Sequence, residues 1–242
     1  MRLLISEGVF RSTVLRRFVI EGYTSGYPFF PRLIPLSSIP FGSYTCYLIG
    51  MIIAGIGHAP TQLIANHNLA YSEEVLTLLY RLVRKELVTL KPDQVISGAA
   101  LGWDTALALA GFSLQIPVIL AIPFDGQEES WPPAARIRYR KMLERAEDVH
   151  FLNDAPYEPE KIQARNEWMV DRADLILALW DGRKLGDVWN CLAYAELRLK
   201  PVKNLWEDWV KKRALAFPEL YPIREITPEL TFLGEPHNEN RR

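Results

Sequence analysis

Three short stretches of the sequence place glycine and polar residues directly after an apolar run. The first is Gly55-Ile56-Gly57-His58, and the second runs from Ser97-Gly98 to Gly102-Trp103-Asp104. The third holds Asp181-Gly182 and Gly186-Asp187. Small residues let main-chain N–H groups approach an anion closely, and a helix that begins there adds the positive end of its dipole. The three stretches therefore predict a site for a small phosphate-bearing or nucleotide-like ligand.

Further side chains could complete such a site. Arg165 precedes Asn166 in a helical stretch, and a guanidinium can pair with phosphate through two hydrogen bonds. Taken alone, Arg165 is also consistent with an ordinary surface residue. The segment from Phe124 through Gln127 to Trp131 has an aromatic ring at each end, which suits a lid that stacks on a base. Aromatic residues are nevertheless more often core anchors.

The polar residues at the strand ends have alternative interpretations as well. His58 alone is more often a loop residue than a catalytic one, and Ser97-Gly98 is equally typical of a tight turn without a ligand. Asp104 could cap a helix or contact a ligand hydroxyl. Asp104 and Asp181 are the candidate catalytic carboxylates. The candidate ligand-binding residues are Gly55, Gly57, His58, Ser97, Gly98, Gly102, Asp104, Phe124, Gln127, Trp131, Arg165, Asn166, Asp181, Gly182 and Gly186.

Several classes of protein are disfavoured. The dinucleotide fingerprint G-x-G-x-x-G and the Walker A ending G-K-[ST] are both absent, which removes support for simple nicotinamide and ATPase functions. The net charge of −1 makes nucleic acid an improbable partner. Cys46 and Cys191 form no metal-spaced cluster, so we predict no metal and a reducing, cytoplasmic location. No apolar run has the ~18 residues of a membrane span.

The elements that must hold these residues alternate from Met51 onward. Apolar strands are predicted at residues 51–54, 94–97, 117–122, 149–152, 175–180 and 202–205. Helices are predicted from the Ser72 cap to Lys91, and at 101–114, 132–147, 160–172, 188–199 and 207–215. Alternating strands and helices favour right-handed crossovers. The expected fold is a doubly wound α/β domain of the Rossmann type, with a mostly parallel sheet covered by helices on both faces.

The rest of the chain differs in composition from this domain. Residues 22–45 are rich in Pro, Gly and Ser, which block regular helix. We expect residues 1–50 to be an irregular extension, and two explanations stay open. Either translation starts at Met51, or the extension is a loosely ordered arm. The domain itself is expected at 51–206, with a short helix and a tail at 207–242.

Five motifs in this order resemble the SLOG superfamily of Rossmann-like proteins, and most of all its YpsA-like, phage-borne branch. They read MIIAGIGHAP, VISGAALGWDTALA, IPFDGQEESWP, RNEWMVDRADLILALWDG and NCLAYAE. The superfamily also includes the lonely-guy hydrolases and DNA-processing protein A. The resemblance implies a nucleotide-like ligand, for example one derived from ADP-ribose or NAD, bound across the strand ends. It leaves a homodimer open and implies no cofactor with certainty.

Two departures from the superfamily pattern bear on activity. The usual G-x-G-H-R-P has Ala59 in place of Arg, which removes one phosphate contact. The usual G-G-T loop ends here in Gly186-Asp187, and no carboxylate occupies residues 188–191, where the hydrolases carry a Glu. The primary hypothesis is therefore a binding, sensing or processing protein for a nucleotide derivative. The alternatives are a phosphoribohydrolase-like enzyme that cleaves an N-glycosidic bond and a single-stranded DNA-binding module.

Overall fold

The computed structural model describes residues 50–154 and 157–221, and the expected irregular extension lies outside these ranges apart from Gly50. The strands are β1 (Ile52–Gly57), β2 (Gln94–Ser97), β3 (Val118–Ile122), β4 (Asp148–Phe151), β5 (Leu175–Leu179) and β6 (Val202–Asn204). The helices are α1 (Pro60–Leu63), α2 (His67–Ala70), α3 (Glu73–Leu90), α4 (Trp103–Ser113), α5 (Pro133–Arg145), α6 (Pro159–Arg172), α7 (Gly186–Leu197) and α8 (Trp206–Ala216).

The six strands form one parallel sheet in the order β4-β3-β2-β1-β5-β6. The chain moves outward from β1 to β4 and then returns to add β5 on the other side of β1. This reversal makes the carboxyl ends of β1 and β5 the topological switch point, where ligands bind in open α/β sheets. The doubly wound, Rossmann-like fold predicted from the sequence is confirmed.

Successive strand residues point to opposite faces of the sheet and so belong to two separate apolar cores. Ile53 belongs to the core under α3, α4, α5 and α8, whereas the next residue, Ala54, belongs to the core beneath α6 and α7. Both faces of the sheet are therefore covered, which explains why the strands are almost continuously apolar. Among the described residues, we find no helix that is both long enough and apolar enough to span a membrane.

Strand β1 is longer than predicted, because Gly55 and Gly57 belong to the strand and not to a turn. A Cβ on Gly55 would lie 2.4 Å from Cδ2 of Leu107, and one on Gly57 would lie 2.5 Å from Cγ of Trp103. Glycine inside a strand often marks such a close approach of another element. These two glycines make room for α4. The prediction that a turn begins at Gly55 is therefore wrong, whereas the prediction that Gly55 and Gly57 contact a ligand stays untested.

Helix α8 belongs to the same core, although the sequence suggested a polar helix beyond the domain. Trp209 is completely buried, and its Nε1 donates a hydrogen bond to the carbonyl oxygen of Leu63 at 3.2 Å. Arg213 donates to the same oxygen at 2.8 Å. Helix α8 thus fixes α1, one of two four-residue helices that the sequence did not reveal because each is a single turn.

Candidate functional site

Three of the predicted stretches meet at one edge of the sheet. β1 pairs with β2 on one side and with β5 on the other, so the residues that follow these strands are neighbours. His58 follows β1, Gly98 follows β2, and Asp181 lies two residues beyond β5. Two separate side-chain centres occupy this edge, one at the end of β2 and one between β1 and β5.

The turn after β2 is fixed by its own hydrogen bonds. The Ser97 hydroxyl accepts a bond from the main-chain N–H of Ala99 at 3.1 Å and donates to the carbonyl oxygen of Asp104 at 2.8 Å. Ala99 and Gly102 both take positive φ, at 54° and 84°. Ser97 was predicted to contact the ligand, but its hydroxyl holds the turn in place, and that prediction stays untested.

The centre at the end of β2 consists of Asp104 on α4 and Arg165 on α6. Nη1 of Arg165 lies 3.4 Å from Oδ2 of Asp104, which is longer than the ~2.7–2.9 Å of a strong charge-assisted hydrogen bond. Both side chains are buried. Burial raises the pKa of the Asp104 carboxyl to about 6, although the Arg165 charge and an N–H of the main chain at Ala100 pull it down.

This centre leaves a polar group without a partner in the described part of the chain. Arg165 is only 6% exposed, and its Nε has no hydrogen-bond partner among the described residues. Asn166, the next residue of α6, is 5% exposed. Buried donors without partners are rare and costly. A buried guanidinium in this state suits an anionic ligand that offers an acceptor atom to Nε.

The second centre joins the end of β1 to the loop after β5. Nδ1 of the buried His58 lies 3.0 Å from Oε1 of Gln62, and its Nε2 lies 3.0 Å from Oδ1 of Asp181. The main-chain N–H of Asp181 also points to Nε2, at 3.2 Å. Arg183 contacts the same carboxylate through its main chain and its guanidinium. These contacts connect His58, directly after β1, with the loop that follows β5.

The Asp181 carboxylate is held in its charged form. Burial on its own raises the pKa of this carboxyl, but the hydrogen bonds from Arg183 and His58 outweigh that effect, so the pKa lies below its ordinary value. A carboxylate with this many donors is a poor proton donor and has little capacity left for a ligand.

The third predicted stretch, the loop between β5 and α7, is loosely packed around its glycines. Gly182 and Gly186 take positive φ of 88° and 81°. Apart from the neighbouring residues in the chain, no heavy atom of the described residues lies within 4 Å of a Cβ built on either. Trp180 and Trp189 stack beside this loop with ring centroids 5.6 Å apart. Sequence reasoning did not single out these two tryptophans, nor Gln62 and Arg183. Trp180 belongs to a quoted motif, but no spacing in the sequence reveals that it stacks on Trp189.

The two aromatic residues of the predicted lid have different ring partners, and the prediction that they stack on a base stays untested. The ring of Trp131 packs edge-on against Tyr139 of α5, with centroids 5.4 Å apart, and thereby joins the core under α3 and α4. Nε2 of Gln127 is buried and has no hydrogen-bond partner among the described residues. Burial raises the pKa of the nearby Tyr139, and the Gln127 side chain partly offsets this rise. Phe124 meets Tyr157 edge-on at 5.7 Å. These contacts fit the alternative interpretation of core anchoring for Trp131.

One depression on this edge of the sheet lies away from both centres. It measures about 480 Å³ at the carboxyl ends of β3 and β4, and its lining residues are Asp125, Phe151, Leu152, Asn153 and Asp154. The candidate residues do not line it, because Arg165 itself fills the space above Gly98: a Cβ on Gly98 would lie 1.5 Å from Nη1. Burial and missing hydrogen-bond partners, not a large hollow, distinguish the Arg165 centre.

Sequence comparison relates the chain to bacterial proteins. The profile of the YspA SLOG family matches residues 57–198. The SPbeta prophage-derived protein YoqJ of Bacillus subtilis is 30% identical over 144 residues, which cover 53% of the present chain and 81% of YoqJ. A UPF0398 protein of Shouchella clausii is 32% identical over 111 residues, covering 43% of the chain but only 59% of that relative.

Structural comparison finds weaker similarity. The X-ray structure of DNA processing protein A from Streptococcus pneumoniae aligns with 70% of the chain at 14% identity and a TM-score of 0.44, and 56% of that protein is covered. Values this low carry no conclusion about a ligand or a reaction of the present chain.

Proposed function

The chain belongs to the YspA SLOG family, as its motifs predicted, and we propose that it binds a nucleotide or nucleotide-derived small molecule through an anionic group of that ligand. The proposed site is the Arg165 centre at the carboxyl end of β2. Asp104 lies in the first turn of α4, so the amino end of that helix belongs to the site, and Asn166 follows Arg165 in α6. The function is that of a sensor or a processing protein for such a molecule.

The buried and incompletely paired guanidinium of Arg165 carries this proposal. A charge removed from water costs several kcal/mol unless partners compensate it. Here the compensation consists of one 3.4 Å contact with a carboxyl whose pKa is raised to about 6. A phosphate oxygen at Nε would supply the missing partner, and the Asn166 amide offers a second donor within the same helix.

Thermal-shift measurements test the proposal directly. ADP-ribose, NAD and AMP are added to the wild type, and a ligand at 100 times its dissociation constant should add about 2.7 kcal/mol of stability. Arg165→Gln should abolish the shift, since the cation is lost while the helix is kept. Arg172→Gln is the matched control, because Arg172 lies in the last turn of the same helix and stacks on Trp168.

If Arg165→Gln keeps the thermal shift, the ligand binds elsewhere on the protein. No shift for the wild type with any of the three compounds would contradict nucleotide binding as a whole.

A phosphoribohydrolase-like activity is the second candidate, and the pKa of Asp104 favours it. A carboxylic acid with a pKa of about 6 can donate a proton to a leaving group near neutral pH. Asp181, whose pKa is lowered, would remain charged. The release of adenine from AMP by the wild type, and its loss in Asp104→Asn, would support this activity. Release that is unchanged in Asp104→Asn would exclude Asp104 as the acid.

Single-stranded DNA binding gains no support from the basic residues of α5. Arg138 forms an ion pair with Glu73 of α3, and Tyr139 and Met142 bury the inner face of the same helix. Binding of single strands needs a basic groove lined by stacking aromatic rings, and we do not propose it.

A further inference from the structure

We infer that Asp104 binds the ligand as a neutral carboxylic acid, so that each anion bound at Arg165 brings one proton with it from the solvent. The inference rests on the proposed function, because it concerns the same site. It assigns to Asp104 the role of a hydrogen-bond donor to the anion.

The geometry around Gly98 leads to this inference. A Cβ built on Gly98 would lie 1.5 Å from Nη1 of Arg165 and 2.6 Å from Oδ2 of Asp104. The guanidinium and the carboxyl group therefore cover the same point of the β2 turn, one from α6 and the other from α4. Since Nη1 of Arg165 lies only 3.4 Å from Oδ2 of Asp104, an anionic oxygen that binds the guanidinium comes close to the carboxyl group.

Two negative charges in contact inside a buried site repel each other strongly, because the surrounding dielectric is low. A proton on Asp104 removes the repulsion. It also changes the carboxyl group from a pure acceptor into a donor, which can then bond to the anion. The ligand thus replaces Asp104 as the counter-charge of Arg165.

The surroundings of Asp104 favour the protonated form of its carboxyl group. Burial raises the pKa of its carboxyl to about 6 even in the presence of the Arg165 charge. The Cys191 thiol of α7 feels the charges of Arg165, Asp104 and Glu167. Burial raises the pKa of the Cys191 thiol to about 12, so the thiol stays neutral in weakly acidic and weakly basic solution. An arriving anion adds to these effects and raises the pKa of Asp104 further.

The test is the pH dependence of ADP-ribose binding, measured by titration calorimetry between pH 5 and pH 8.5. The diphosphate of ADP-ribose keeps a constant charge in this range, so a pH effect reports on the protein. For the wild type, we expect the dissociation constant to be nearly level below about pH 6 and to rise roughly tenfold per pH unit above it. Repetition in buffers of different ionisation enthalpy should show an uptake approaching one proton at pH 8.

Asp104→Asn gives the decisive comparison, because the Asn amide imitates the shape and the donor capacity of the neutral acid. Its dissociation constant should be level over the whole range, and binding at pH 8 should be about 100-fold tighter than that of the wild type, two pH units above 6. Asp208→Asn, which removes an exposed carboxylate at the start of α8, is the control and should keep the slope of the wild type.

The outcomes separate the two proposals. Binding that is independent of pH in the wild type, or weaker binding by Asp104→Asn at pH 8, overturns the role of Asp104 and leaves nucleotide binding standing. No binding of ADP-ribose, NAD or AMP by the wild type at any pH overturns both. If Asp104→Asn does not fold, the proton count of the wild type decides alone: an uptake near one supports the inference, and an uptake near zero overturns it.

Discussion

Two carboxylates at the same edge of one sheet are held in opposite ways. Asp181 receives hydrogen bonds from Arg183 and lies 3.0 Å from Nε2 of His58, and its pKa is lowered. Asp104 has a 3.4 Å contact with Arg165, and burial raises its pKa to about 6. Two things differ between the groups: Asp104 is the more deeply buried carboxyl, and Asp181 receives more hydrogen bonds.

At the Asp181 centre the buried polar groups have hydrogen-bond partners, whereas at the Asp104 centre one buried donor lacks a partner in the described part of the chain. The Asp181 centre satisfies its own groups and joins β1 to the loop after β5. The Asp104 centre leaves Nε of the buried Arg165 without a partner among the described residues. Incomplete pairing of buried groups is tolerated where a ligand completes it.

The largest effect should come from removing the cation of the Asp104 centre. Arg165→Gln leaves a buried carboxylate without its charge partner, and the loss of a buried partner costs about 3–5 kcal/mol. The loss should be greater at pH 8 than at pH 5, where Asp104 is protonated. Urea denaturation at both pH values measures it. Arg183→Gln is the counterpart at the other centre and should cost less than about 1 kcal/mol, since Arg183 is exposed. Equal losses would remove the contrast between the centres.

The next effect concerns the pH dependence of stability. The pKa of Asp104 is raised in the folded state, so its stabilising contribution is full below the ordinary value near 4 and is lost as the pH rises through about 6. At ~1.4 kcal/mol for each pKa unit, the loss amounts to about 3 kcal/mol. Asp104→Asn should lack this loss and gain stability relative to the wild type between pH 4 and pH 7. Parallel stability curves for the two proteins would contradict the raised pKa.

A substitution in β1 tests whether its glycines serve packing. Gly57→Ala places a methyl group 2.5 Å from Cγ of Trp103, and overpacking of this kind costs about 1–3 kcal/mol. Thermal denaturation measures the loss. Gly182→Ala, which meets no atom within 4 Å but has φ of 88°, should cost about 1 kcal/mol through backbone strain. An undisturbed Gly57→Ala protein would show that α4 does not need the glycine.

The smallest effect is expected at the satisfied centre. Asp181→Asn weakens the contacts with His58 and Arg183 and should cost about 1 kcal/mol at pH 7. Because the pKa of Asp181 is lowered, the charged form stabilises the fold above the ordinary value, and this contribution is lost as the pH falls. The difference from the wild type should therefore shrink toward pH 3. A difference that grows on acidification would contradict the lowered pKa.

The sequence was informative wherever periodicity or a cap determined local structure. Helix α3 begins after Ser72, whose hydroxyl accepts from the N–H of Val75 at 3.2 Å, and β2 has the predicted bounds. It was less informative where tertiary contacts decide. Gly55 and Gly57 belong to a strand because α4 packs on them. The partners of His58 come from α1 and from the loop after β5, and no spacing in the sequence reveals them.

A crystal structure of the protein with ADP-ribose, grown near pH 6, would test the Arg165 centre most directly. We predict a phosphate oxygen within ~2.7–2.9 Å of Nε of Arg165, with the Asn166 amide and Asp104 in contact with the same group. A ligand seated on the open loop from Gly182 to Gly186, with the side chain of Arg165 unchanged and untouched, would contradict this prediction.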